Sequence, residues 1–345
     1  MKRTGFLFDS VVDFGALCEA ARLAVRGRRG KPVCARLVFD LETEVLALQR
    51  ELLDGSYWPR PYRTFTVSDP KPRTISAADI RDRVVHHALC TVLEPVFERV
   101  AIFDSYACRC GKGSHAALRR AREFSRQQPY FLKMDIRRFF ETVDHAVLKA
   151  MVRRVVKDPR VLWLVDVFVD HGAPGSQPGM GLPIGNLTSQ HFANFYLSQL
   201  DHFVKETLGV TGYIRYMDDL LLFGNGRAEM WQWESAIRDL TARDLRLEVK
   251  AAATLAAPVF DGVPFLGFRI WPQAVRLSGA SKRRFLRGIR DQQHAHEQGR
   301  ISAEALERSM ASRVGHVVHA DTGSLRRSVF CTEGGGSGAT RALTG

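Results

Sequence analysis

The chain has 345 residues, 45% of them hydrophobic and 25% charged, an ordinary globular composition with enough length for two or three subdomains around a real core. Its 50 Lys and Arg exceed its 37 Asp and Glu to give a formal net charge of +13, so nucleic acid is the expected partner. A membrane span is excluded because the longest apolar run, Val161 to Val169, is broken by Asp166, and the scattered Cys18, Cys34, Cys90, Cys108, Cys110 and Cys331 have neither zinc spacing nor a disulfide pattern.

Residues 9–54 carry helical periodicity around a basic break at 26–32, and the helix Leu41 to Leu53 stops at Asp54-Gly55. Pro59, Pro61, Pro70 and Pro72 make residues 57–76 extended or turning, with a strand over Pro61 to Val67 and a basic turn at Lys71-Pro72-Arg73. Ala78 to Phe97 reads as a helix, and Tyr106 to His115, which holds Gly111-Lys112-Gly113, as a loop. Phe131 to Ile136 is an apolar strand with Asp135 near its end. Helices follow over Val143 to Val156, capped by Asp144, and over 159–171. The Gly- and Pro-rich loop Gly172 to Gly181 leads into Leu182-Pro183-Ile184-Gly185 and a helix from Thr188 to Glu206. A further helix spans Ala228 to Leu245, with strands near 246–250 and 263–271 and a helical stretch over 280–330. The alternation of strand, helix, hairpin, helix and strand over 130–271 fits a ferredoxin-like arrangement.

The chemistry concentrates at Tyr216-Met217-Asp218-Asp219, between the apolar runs Tyr213-Ile214 and Leu220 to Phe223. Two β-prone runs joined by turn-tolerant acids predict a hairpin with adjacent carboxylates at its tip. Like charges side by side need a neutralising partner, and oxygen ligands suit Mg²⁺. Asp135, at the end of a neighbouring strand, can converge with Asp218 and Asp219 on two metals about 4 Å apart, the arrangement of nucleotidyl transfer. Basic runs at Arg22 to Lys31 and from Val275 to Cys331, the latter with eleven Lys or Arg against five acids, suit a protein that grips a phosphate backbone around that centre.

These blocks together resemble the reverse transcriptases. In order stand Lys71-Pro72-Arg73 through Asp82-Arg83, Asp135 followed by Phe140, Gly181 to Gly185, Tyr216 to Asp219, and Phe265-Leu266-Gly267-Phe268. Within that superfamily, Pro183-Ile184-Gly185 followed by Ser189-Gln190 is similar to the enzymes of diversity-generating retroelements rather than to group II intron or retron types.

The resemblance implies an α+β right-hand polymerase, with fingers within residues 1–125, a palm over 126–272 holding a fingers-side insertion near 150–182, a basic helical thumb over 273–331 and a flexible tail over 332–345. It implies error-prone cDNA synthesis opposite adenine from a template-repeat RNA, with two Mg²⁺ ions, dNTPs, nascent cDNA and a small accessory variability protein, in a cytoplasm of bacterial, archaeal or phage-host origin. Asp135, Asp218, Asp219 and the Ile136 carbonyl are the expected metal ligands. Lys71 and Arg73 would hold the triphosphate, and Phe140 would stack under the sugar. Ile184, Gly185, Ser189 and Gln190 would line the fidelity and template loop, where Ile184 replaces a glutamine. Lys282, Arg283, Arg284 and Arg287 would grip the duplex. Ala253 stands before Thr254 where the family often has lysine, leaving Lys250 as a weak proton donor. The rival readings are another prokaryotic reverse transcriptase and a catalytically silent RNA-binding scaffold.

Overall fold

A computed structural model describes residues 2–28, 30–68 and 72–330; Lys71, Cys331 and the expected tail lie outside them. Helices α1 (Phe8–Val12), α2 (Phe14–Val25), α3 (Pro32–Phe39) and α4 (Leu41–Asp54) open the chain, and Gly55, at φ +75°, ends α4 where the sequence places the stop. The strands β1 (Arg63–Val67) and β2 (Arg73–Ala77) form an antiparallel ribbon, and α5 (Ile80–Glu98) follows.

The centre is a four-stranded antiparallel sheet in the order β4-β5-β3-β6, built from β3 (Tyr130–Asp135), β4 (Gly212–Tyr216), β5 (Asp219–Gly224) and β6 (Leu255–Pro258). That order is the ferredoxin-like one the alternation predicts. Both faces are covered. Leu132, Met134, Leu220 and Leu222 belong to the core that includes the N-terminal helices, while Phe131, Leu221 and Phe223 pack with α6 (Ser114–Gln127) and a second sheet. This two-sided burial is why β5 reads as an unbroken apolar run instead of alternating.

Four segments differ from expectation, three of them around the sheets. Helix α6 follows the expected loop without a gap; its buried Ala117, Leu118, Ala121, Phe124 and Ser125 recur at helical spacing, but three arginines between them and a fourth just after hide the stripe. Residues 246–250 give an extended segment with a single bridge, Ile136 to Val249, and the strand that joins the sheet is β6. The expected strand over 263–271 is a hairpin, β7 (Val263–Phe265) and β8 (Phe268–Ile270), because Leu266 and Gly267 take φ of +48° and +82° and reverse the chain. β9 (Val275–Leu277) completes that sheet, which therefore runs five residues past 272.

Between β3 and β4 lie α7 (Phe139–Thr142), α8 (His145–Val155), α9 (Pro159–His171), α10 (Leu187–Tyr196) and α11 (Ser198–His202). The single helix expected over 188–206 is thus α10, α11 and a π turn at Phe203–Thr207. Asp144 caps α8, accepting from the Val147 N–H at 2.9 Å, and Arg246 donates to it at 2.7 Å. Helix α12 (Arg227–Asp244) joins β5 to the 246–250 segment, and α13 (Gly279–Glu297), α14 (Ala303–Val317) and α15 (Gly323–Phe330) close the described chain. No helix among the described residues is long and apolar enough to cross a membrane.

Asp158 ties the N-terminus to this insertion. It caps α9 through the Arg160 and Val161 N–H groups and also accepts from Leu7 and Phe8 at 2.8 and 3.0 Å. Burial disfavours its charge, but these amide donors outweigh it and hold its pKa below the usual carboxylate value. Asp158→Ala should cost about 2–3 kcal/mol in urea unfolding at pH 7, from a lost cap and stranded amides. Because the folded pKa is depressed, that contribution is present above the unfolded carboxylate range and fades as pH falls through the folded value, so the gap between wild type and variant should narrow in acid.

Candidate active site

β3 ends on Asp135, which is in register with Asp219 at the start of β5. Opposed residues in an antiparallel pair share a face, so Lys133, Asp135 and Asp219 project to the same side. Lys133 makes an ion pair with Asp219. Asp218 lies in the tip between β4 and β5, and Met217 before it adopts a left-handed conformation, φ +55°. The Ile136 N–H donates to the Asp218 carbonyl at 3.3 Å, stitching the end of β3 to the tip. On the other flank the Lys250 N–H donates to the Asp135 carbonyl at 2.8 Å, and the Arg137 N–H to the Glu248 carbonyl at 2.8 Å.

The electrostatics follow from burial first and crowding second. Burial, then the Asp135 charge, push the Asp218 carboxyl up to about 6, with Asp219 adding to the rise and Arg73 opposing it. Asp219 is also raised, by burial first, with Lys133 working against the shift. Among the described residues no three His, Cys, Asp or Glu side chains close into a metal cage. That is not what Mg²⁺ requires: it binds through one or two carboxylates, keeps several waters and takes further oxygens from substrate phosphates. Two crowded carboxylates, Asp135 and Asp218, the latter with its pKa raised by burial and by its neighbour's charge, fit such an ion.

Arg215 and Asp201 support the tip from beneath, and sequence reasoning missed both. Arg215 on β4 is 1% exposed and Asp201 on α11 is 0% exposed. The guanidinium donates to both Asp201 oxygens at 2.7 and 2.6 Å, to the Asn194 side chain at 2.7 Å and to the Met217 carbonyl at 3.2 Å. The Tyr213 hydroxyl donates to Asp201 at 2.8 Å. The available signal was a lone arginine inside an apolar strand, since arginine is almost never fully buried unless paired.

The β1–β2 ribbon and the loop before α10 touch. The Ser76 N–H donates to the Ile184 carbonyl at 2.8 Å, and the Leu182 N–H to the Phe140 carbonyl at 2.6 Å. Gly185 has φ +115°, and a Cβ there would lie 2.8 Å from Ile75 Cγ2, so glycine lets loop and ribbon touch. Phe140 is half-buried against Phe139, Ser189 is buried and Gln190 half-buried, its side-chain oxygen 3.6 Å from Cys108 Sγ. Arg73 opens β2, with its charge felt at Asp218. Lys282, Arg283, Arg284 and Arg287 stand exposed on α13, which hangs from the β7–β8 turn through the Ser278 N–H to the Gly267 carbonyl at 3.0 Å.

Fold and site define a right-hand polymerase palm. A solved telomerase structure from Candida tropicalis, truncated of its C-terminal domain, superposes with a TM-score of 0.50 at 11% identity over 66% of this chain and 59% of that one, a likeness of fold. Residues 68–270 match the family described as Reverse transcriptase (RNA-dependent DNA polymerase), and the chain belongs to that family. Similar curated proteins are the group II intron-encoded protein LtrA of Lactococcus lactis subsp. cremoris, 23% identical over 70% of this chain and 51% of that protein, and protein YkfC of Escherichia coli K12, 28% identical over 64% of this chain and 59% of that protein. The chain thus spans about half the length of the curated relatives it matches.

The raised Asp218 gives a prediction independent of activity. An acid whose folded pKa is raised favours folding while protonated; that contribution weakens as pH climbs from the unfolded carboxylate value through about 6. Metal-free Asp218→Asn should therefore melt higher than wild type at pH 8, on the order of 2 °C, with the difference closing by pH 4. A pH-independent difference would show that neither burial nor the neighbouring charges raise this carboxyl.

Proposed function

We propose that this chain is an RNA-directed DNA polymerase, copying template RNA into cDNA from dNTPs by two-metal nucleotidyl transfer. The observation that carries this reading is the convergence of three acids where β3 meets the β4–β5 tip: Asp219 opposes Asp135 in register, and the Asp218 carboxyl is buried close enough to feel the charges of Asp135 and of Arg73. Bound Mg²⁺ would lower the pKa of the primer 3′-hydroxyl and neutralise the triphosphate. Asp135, Asp218 and the Ile136 carbonyl hold the ions, while Asp219, fixed by Lys133, completes the acidic shell. Arg73 offers its planar fork to triphosphate oxygens, with Lys71 beside it in sequence. Phe140 lies under the sugar and leaves no room for a 2′-hydroxyl. The basic face of α13 grips the duplex backbone.

The finer reading is a mutagenic enzyme of a diversity-generating retroelement, acting in the cytoplasm with a small accessory variability protein. Its support is the 182–190 loop. Ile184 presents an apolar, β-branched side chain beside the nascent pair where an amide would otherwise check geometry, and Gly185 seats that loop on Ile75 of the fingers. Ser189 and Gln190 follow on α10, Ser189 buried beneath the loop and the half-buried Gln190 offering its amide toward the template.

Primer extension on a defined RNA template with Mg²⁺ and dNTPs, followed by product sequencing, tests both levels. Asp218→Ala should lower the rate at least ~10³-fold, about 4 kcal/mol of transition-state stabilisation; near-native extension by that variant would overturn the catalytic assignment. Errors should concentrate opposite template adenine, and Ile184→Gln should reduce them. An error spectrum unmoved by Ile184→Gln would make that residue a packing element and remove the loop's support for the mutagenic reading.

A further inference from the structure

At the end of the palm away from the carboxylates, the C-terminus of α6, the start of β3 and the end of β8 enclose an open cleft of about 700 Å³. Pro129 lines it while Asp135 closes the same strand, so roughly 17 Å of β3 separates cleft and acids. Its lining includes Arg126 and Arg276 and no Asp or Glu. Phe260 stands 88% exposed at its edge. The half-buried Trp271 donates its indole N–H to the Phe260 carbonyl at 3.1 Å, and the Arg276 guanidinium lies 5.9 Å from the Trp271 ring centre. Arg122 donates to the Pro272 and Gln273 carbonyls at 3.2 and 2.6 Å, which fixes the turn that carries the tryptophan.

A further atom points to the ligand. Gln128, also in the lining, has its side-chain oxygen buried with no hydrogen-bond partner. A buried acceptor without a donor is costly. Rotation of this side chain into the cleft would let the amino edge of a nucleobase donate to it, which a bare phosphate or carboxylate cannot do. Cations for a backbone, aromatic faces for bases and an orphan acceptor for a base edge are the parts of a single-strand platform.

We propose that this cleft binds single-stranded RNA outside the copied stretch, with a base stacked on Phe260 and Trp271 and the backbone held by Arg126 and Arg276. That the strand is RNA rests on the polymerase reading above; the platform itself rests on the cleft. The test uses the full chain and a labelled hairpin RNA primer–template with and without a long single-stranded tail, read by fluorescence anisotropy. The tail should tighten binding to the wild type about tenfold, the scale of a stacked base. Phe260→Ala combined with Arg276→Ala should lose that gain while extending the tail-less hairpin at the wild-type rate. A tail that adds nothing to wild-type affinity, or a variant that keeps the gain, overturns the proposal. Failure of the wild type to extend the hairpin would instead count against the polymerase reading and leave the tail measurement interpretable.

Discussion

The buried pair of Arg215 and Asp201 is what the tip of the β4–β5 hairpin depends on. Two full charges without exposure are tolerated here because each is hydrogen-bonded to saturation: the guanidinium reaches both carboxylate oxygens, Asn194 and the Met217 carbonyl, while Tyr213 adds a donor to Asp201. Taking one partner away would leave the other as an unpaired buried charge, a loss of about 3–5 kcal/mol. An apolar pair of equal volume could be as stable, but it would leave the Met217 carbonyl without its donor. The pair therefore makes a positional contribution. It anchors α11 and α10 to β4 and sets the height at which Asp218 meets Asp135.

Above that anchor the site is assembled from segments far apart in the chain, each pinned by backbone hydrogen bonds. Ile136 holds the tip, Lys250 holds the end of β3, and Ser76 and Phe140 hold the two sides of the 182–185 loop. Side chains are then carried to the centre on strands and short turns with little freedom, as electrostatic preorganisation requires. Crowding of the carboxylates is the cost of the arrangement, recorded in the elevated Asp218, and the Arg73 and Lys133 charges offset only part of it.

The sequence disclosed the acids and the sheet order because both are local signals. Asp135 closes an apolar run and Asp218-Asp219 interrupts one, and strand–helix alternation leaves few topologies. It concealed what depends on distant partners. Arg215 looks like an ordinary polar residue until Asp201 arrives beside it from another element. Helix α6 carries four arginines in fourteen residues, so its narrow apolar stripe is visible only once the second face of the sheet is known to need a cover. The turn at Leu266-Gly267 was hidden by a leucine in a conformation that favours glycine. Lys133 was visible but unremarkable, since its role appears only when register sets it beside Asp219.

The palm sheet has also been finished at its borders. Residues 104–106 lie along the open side of β4, where the Arg215 N–H donates to the Asp104 carbonyl and the Tyr106 N–H to the Arg215 carbonyl. At the other border β6 is four residues long and ends in Pro258, which has no amide to offer. Strand β1 is different: it is exposed over its whole length and includes Phe65 at 49% and Val67 at 42% exposure. An unprotected strand with apolar side chains is a template for self-association, and terminal charges such as Arg63 and Arg73 are the customary guard. Colloidal behaviour of the protein is thus expected to be governed by this ribbon, with salt, which screens those arginines, favouring aggregation.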